Sequence, residues 1–129
     1  MERFIKAQDK VYDTVISELK SGEKRTPWIW YIFPQIQGFG RSGTAKFYSI
    51  KDREEAKEYL AHPILGERLI ECTKLLLDKH VEFSYPDDLK LKSSMTLFSL
   101  VSDNEVFNLV LDKYYTGEFD QLTVDIIND

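Results

Sequence analysis

The stretch Thr26-Pro27-Trp28-Ile29-Trp30-Tyr31-Ile32-Phe33-Pro34 decides the fold class. Between its prolines runs an unbroken apolar and aromatic hexapeptide. Such a run suits either a buried strand or a buried helical turn. No second segment offers itself as a partner strand, so helix is expected. Thr26 would be the N-cap and Pro27 the first helical residue. Pro34 ends the element and keeps it short.

The flanking chain is also helical by pattern. Phe4, Gln8, Val11, Val15 and Leu19 follow the i, i+3, i+4 rule, and predict a helix over 2–21. Gly22 is the expected C-terminal cap. Glu23-Lys24-Arg25 reads as a charged, exposed turn. After Pro34, the glycines Gly38, Gly40 and Gly43 mark the most flexible loop. Thr44–Tyr48 fits one helical turn. Asp52 with Glu55 resembles a capping box that opens a helix to Ala61. His62-Pro63 breaks that helix. Leu65, Leu69, Cys72, Leu75 and Leu76 then stripe another that ends near Lys79. Pro86 starts a helix through Val101. Asp103 is the expected cap of Glu105–Tyr115, closed by Gly117. Asp120 caps a last short helix. The expected architecture is all-α: a compact multi-helical array of six to eight helices in one domain over 1–129.

Composition agrees and excludes several functions. The chain has 129 residues, 43% of them hydrophobic and 13% aromatic, which suits a single domain with a real core. A net charge of −5 argues against a nucleic-acid polymer or an anionic membrane as partner. Cys72 is the one cysteine, so neither an intrachain disulfide nor a cysteine-based zinc site is expected. His62 and His80 have no ligand-spaced partners, and neither a metal nor a cofactor is implied. Met1-Glu2-Arg3-Phe4 lacks the apolar core of a signal peptide, and no run reaches membrane-span length. A cytoplasmic protein is expected.

Two segments carry unusual chemistry, Trp28–Ser42 and Asp87–Phe98. Trp28, Trp30, Tyr31 and Phe33 can stack on a base or sugar, or can simply fill the core. Trp28 and Gln35, at the edges, are the preferred pocket residues. In the loop, Gly38 and Gly40 let backbone amides converge on an anion, with Arg41 supplying charge and Ser42 a hydroxyl. The bland reading makes Ser42 an N-cap. In the second segment, Lys90 and Lys92 lie beside Ser93, Ser94 and Thr96, which are poor helix formers. An anionic ligand would satisfy those hydroxyls. Alternatively they bond back to carbonyls within a tightly packed helix. Asp88 adjoins this helix and is the candidate acid or base.

These segments also carry a resemblance. Lys24 to Ser42, with its Trp28–Gln35 run and its Gly38, Gly40, Ser42 spacing, resembles the bacterial "domain of unknown function 1810" family. So do Arg3-Phe4 with Ala7-Gln8, Tyr59-Leu60 with His62-Pro63, and Leu65-Gly66 with Arg68-Leu69. Asp88, Lys90-Leu91 and Ser93-Ser94-Met95-Thr96-Leu97-Phe98 complete the match, which spans nearly the whole chain in order. The resemblance implies an all-α fold and no established activity. Family members often have a histidine just before the first tryptophan, where this chain has Pro27. A weaker resemblance, to an all-α family proposed to act on NAD and ADP-ribose derivatives, is one of analogy.

The expected function is binding of a phosphate-bearing, nucleotide-like small molecule, related to ADP-ribose or NAD, between Trp28–Ser42 and the Ser93–Thr96 helix. Trp28, Trp30, Gln35, Gly38, Gly40, Arg41, Ser42, Lys90, Lys92, Ser93 and Ser94 would contact it. Asp88 would serve any hydrolysis or N-glycoside cleavage. The alternative is a non-enzymatic interaction module, or a homodimer, that uses the aromatic segment as its contact surface.

Overall fold

Helix α1 (Glu2–Ser21) buries Phe4, Val15 and Leu19 along one stripe and stops at Gly22, which takes the left-handed conformation. A computed structural model describes residues 1–128 and shows the rest of the array. It comprises α2 (Ile29–Ile32), α3 (Gly43–Phe47), α4 (Arg53–Ala61), α5 (Leu65–Asp78), α6 (Asp87–Val101), α7 (Val106–Tyr115) and α8 (Gln121–Asn128). The described residues thus form eight helices and no strand, as the sequence pattern predicts. Isolated bridges pair Glu23 with Glu82 and Ile36 with Ile50. Among the described residues, no helix is long and apolar enough to cross a membrane.

The aromatic run is a single helical turn, but it starts later than expected. Trp28 is the N-cap, and Thr26 does not cap the helix. Its hydroxyl donates instead to Oε2 of Glu18, at 2.6 Å. A charge-assisted bond to a buried carboxylate is stronger than an ordinary cap bond from a helix amide, so the tertiary contact wins. Lys24 also departs from expectation. The turn around it is not wholly exposed: the Lys24 side chain is only 6% accessible, over the Trp28 ring. Asp103 does not cap α7; Asn104 Oδ1 accepts the Val106 amide. Thr116, not Gly117, is the left-handed C-cap of α7, and Pro86 is the N-cap of α6 rather than its first residue, whereas other caps fall where the sequence puts them. Asp52 accepts from Glu55 N, and Asp120 from Thr123 N. His62 Nδ1 accepts the amides of Ile64 and Leu65.

Helix α6 is the central element. Leu91 and the whole run from Ser93 to Phe98 are buried. α2, α4, α7 and α8 pack around it. Being covered on several sides explains the small hydroxyl residues. They allow close approach, and their polar atoms bond locally: Thr96 donates to Lys92 O and Ser99 to Thr96 O. The core runs outward from Phe98 through Tyr59 and Phe107.

Candidate functional site

Trp30 stands where the two unusual segments meet. It is half-buried, and its indole borders two cavities. The first, of about 360 Å³, lies under the glycine loop. Gln35, Gly38, Phe39, Gly40, Lys46 and Tyr48 line it with Trp30. Two backbone bonds close the loop's base: Gln37 N donates to Ile50 O, and Ile50 N to Gln35 O. Gly38 adopts φ +90°, a conformation that other residues rarely take. Gly40 is required by space. A Cβ there would stand 2.7 Å from that of Ala45 and 2.9 Å from the Trp30 ring. Ser42 is the N-cap of α3, accepting from Ala45 N, so its hydroxyl is engaged in holding the loop.

Gln35 is the unusual residue of this cavity. Its side chain is buried, and its amide nitrogen donates to Phe33 O. Its Oε1 has no hydrogen-bond partner among the described residues. Leaving a buried acceptor unmade costs about 1–3 kcal/mol. Such atoms are rare in native proteins and call for an explanation.

The second cavity, of about 270 Å³, lies between the Lys24–Trp30 segment and the start of α6. Its electrostatics are concentrated. Asp87 lies between two ammoniums, 2.7 Å from Lys24 Nζ and 3.5 Å from Lys90 Nζ. Lys90 Nζ also sits 4.1 Å from the centroid of the Trp30 ring, a cation–π contact. Two cations share one carboxylate, which leaves the cluster positive. Pro27 lines this cavity too.

The remaining expected residues are dispersed. Trp28 is core, 1% accessible, and its indole N–H bonds to Glu18. Arg41 is exposed and makes no ion pair among the described residues. Lys92 pairs with Glu118, at 3.6 Å. Ser93 is buried against Thr123, at 2.8 Å, and the buried Ser94 hydroxyl has no hydrogen-bond partner among the described residues; neither lines a cavity beside Trp30. Asp88 faces a separate depression with His80, Phe83 and Tyr115. The single convergent cleft expected from the sequence is therefore two cavities joined at Trp30. Gln35 belongs to one and Lys90 to the other.

Sequence reasoning passed over Asp87, Lys24 and Tyr48. Asp87 was detectable: it is three residues before Lys90 and shares its helical face, whereas Asp88 is turned about 100° away. Nothing local marks Lys24 or Tyr48.

Nucleophilic chemistry has little support. Burial pushes the Cys72 thiol up to about 12, so it is not a thiolate near neutrality. Among the described residues, no group of three or more His, Cys, Asp or Glu could hold a metal ion.

Comparison with known proteins places this geometry in a family. No curated protein matches the chain. A solved structure does, the conserved hypothetical protein Rv1873 from Mycobacterium tuberculosis, determined by crystallography at 1.38 Å. The two are 46% identical over 99% of this chain and 96% of that one, with a TM-score of 0.96. The family model described as "protein of unknown function (DUF1810)" matches residues 1–127, and the chain belongs to that family.

Proposed function

We propose that this protein binds a small, phosphate-bearing, nucleotide-like molecule of the ADP-ribose or NAD type at the paired cavities around Trp30, in the cytoplasm. The observation that carries the reading is the orphaned Oε1 of buried Gln35, in a cavity walled by Trp30 and Tyr48. A base or ribose donor would satisfy that oxygen as the side chain adjusts. The cavity is in the size range of small-molecule sites. Aromatic walls suit a flat ring. The phosphates would lie against Lys90 and Lys24, which together exceed the charge of Asp87. Lys46, on the rim of the first cavity, adds a further cation.

Binding is better supported than catalysis. Asp88, the candidate acid or base, lies in a different depression, and no hydrolytic step follows from the residues beside Trp30. The alternative, an interaction module built on the aromatic segment, has less behind it. Trp28, Ile29, Ile32 and Phe33 are buried and offer no continuous contact surface.

The test is titration with ADP-ribose, NAD, ADP and inorganic phosphate, followed by tryptophan fluorescence and thermal shift. Saturable binding of at least one nucleotide is expected. Lys90→Ala should weaken it roughly tenfold, the effect of losing one charge-assisted contact. Gln35→Leu should weaken the nucleotides and leave phosphate unaffected. If no nucleotide binds, or Lys90→Ala and Gln35→Leu bind like the parent protein, the reading fails.

A further inference from the structure

Helix α5 carries a feature unrelated to Trp30. Glu67, Ile70, Glu71, Lys74, Leu75 and Asp78 are spaced 3, 1, 3, 1 and 3 residues apart, one face of a helix. They line a groove of about 680 Å³, larger than either cavity beside Trp30 and sharing no residue with them. Leu60 of α4 and the Ser102 and Asn104 connection form the other walls. From Glu67 to Asp78 the face runs roughly 16 Å, three helical turns.

The groove has an apolar floor and an acidic rim. Leu60, Ile70 and Leu75 pack against the core yet stay partly open to the groove. Glu67, Glu71 and Asp78 are exposed, and none has a cationic partner among the described residues. Lys74 is the lone cation on the groove face, so the charge of the face is −2. Glu71 accepts only the hydroxyl of Tyr12. One end of the groove is rigid, because the backbones touch there: a Cβ on Gly66 would stand 2.0 Å from Leu60 O. A preformed groove spends little binding energy on ordering itself.

We propose that this groove docks a short amphipathic helix of a partner protein, apolar on one face and flanked by lysine or arginine. Helix-in-groove recognition places apolar anchors on such a floor. Leu60, Ile70 and Leu75 supply that floor. Carboxylates one or two turns apart on α5 meet cations at the same pitch on a second helix. A strand is the poorer occupant, because the groove walls are helices and an irregular connection with no sheet edge to extend.

The test uses the full chain and a fluorescein-labelled 14-residue peptide of leucine and lysine, with the leucines on one helical face. Its counterpart has glutamate in place of every lysine. Fluorescence anisotropy should show saturable binding of the leucine–lysine peptide and none of the leucine–glutamate peptide. The double variant Glu67→Lys/Asp78→Lys should lose about tenfold or more in affinity for the first peptide. It should gain measurable affinity for the second, a gain that a misfolded variant would not give. Glu2→Lys/Asp125→Lys changes the net charge equally, at positions that do not line the groove, and should bind like the parent. The proposal is overturned if the leucine–lysine peptide fails to bind. It is also overturned if both double variants weaken binding alike, which would mean attraction to overall charge alone.

Discussion

The indole N–H of Trp28 donates to Oε1 of Glu18 across 2.9 Å, in the interior of the protein. The same carboxylate accepts the amides of Arg25 and Thr26 and the hydroxyl of Thr26. Four donors on one buried carboxylate fasten the 23–28 segment to α1. This anchors the chain that leads into Trp30, so both cavities depend on a residue that touches neither.

The first prediction concerns that carboxylate. Burial by itself raises the Glu18 pKa, but the bonds from Thr26, Arg25 and Trp28 outweigh burial and hold it at about 2. The folded value lies below the unfolded one, near 4.5. Its stabilisation is therefore complete above pH 4.5 and is lost as pH falls toward 2. Glu18→Gln should cost about 2 kcal/mol at pH 7, by urea denaturation. The gap between parent and variant should narrow as pH falls through that window. A gap independent of pH would show that the ionised carboxylate is not the stabilising species.

Gly66 gives a prediction with an unexpected sign. Replacing a helical glycine by alanine ordinarily stabilises by about 1 kcal/mol. At Gly66, the added methyl would meet Leu60 O at 2.0 Å, a backbone atom that cannot rotate away. Gly66→Ala should therefore destabilise, by about 2–3 kcal/mol, as overpacking does. An unchanged or raised melting temperature would mean that α4 and α5 separate more easily than their packing implies.

Ser93 separates a structural role from a ligand role. Thr123 Oγ1 donates to Asp120 Oδ2, at 2.6 Å, so its proton is committed. Ser93 must then be the donor in the 2.8 Å contact with Thr123, which ties α8 to α6. Ser93→Ala should cost about 1 kcal/mol of stability. Amide exchange should quicken in α8, while nucleotide affinity stays unchanged. Weakened affinity without loss of stability would return Ser93 to the ligand.

The helices were legible because their signals are local. The apolar stripe of α1, the Gly22 stop, the Asp52 and Asp120 caps and the break at Pro34 each involve residues within a few positions of one another. Local backbone geometry determines them whatever the rest of the chain does. The all-α class follows from these local signals, and the family is legible from other short runs, Trp28–Gln35 and Ser93–Phe98 among them.

The site was only half legible. Trp30, Gln35, Gly38, Gly40 and Lys90 were all expected in it, and they do line the cavities. Trp28, Ser93 and Asp88 were expected there too and lie elsewhere. The difference is one of rotation. Trp28 turns inward because Glu18, ten residues earlier, offers an acceptor for its N–H. Ser93 turns inward because α8 brings Thr123 against α6. Asp87 faces Lys24 while its neighbour Asp88 faces Tyr115. The chemistry available to the site is written in the sequence. Which of two adjacent residues supplies it depends on which face of a helix meets which neighbour, and that is decided by packing between segments far apart in the chain.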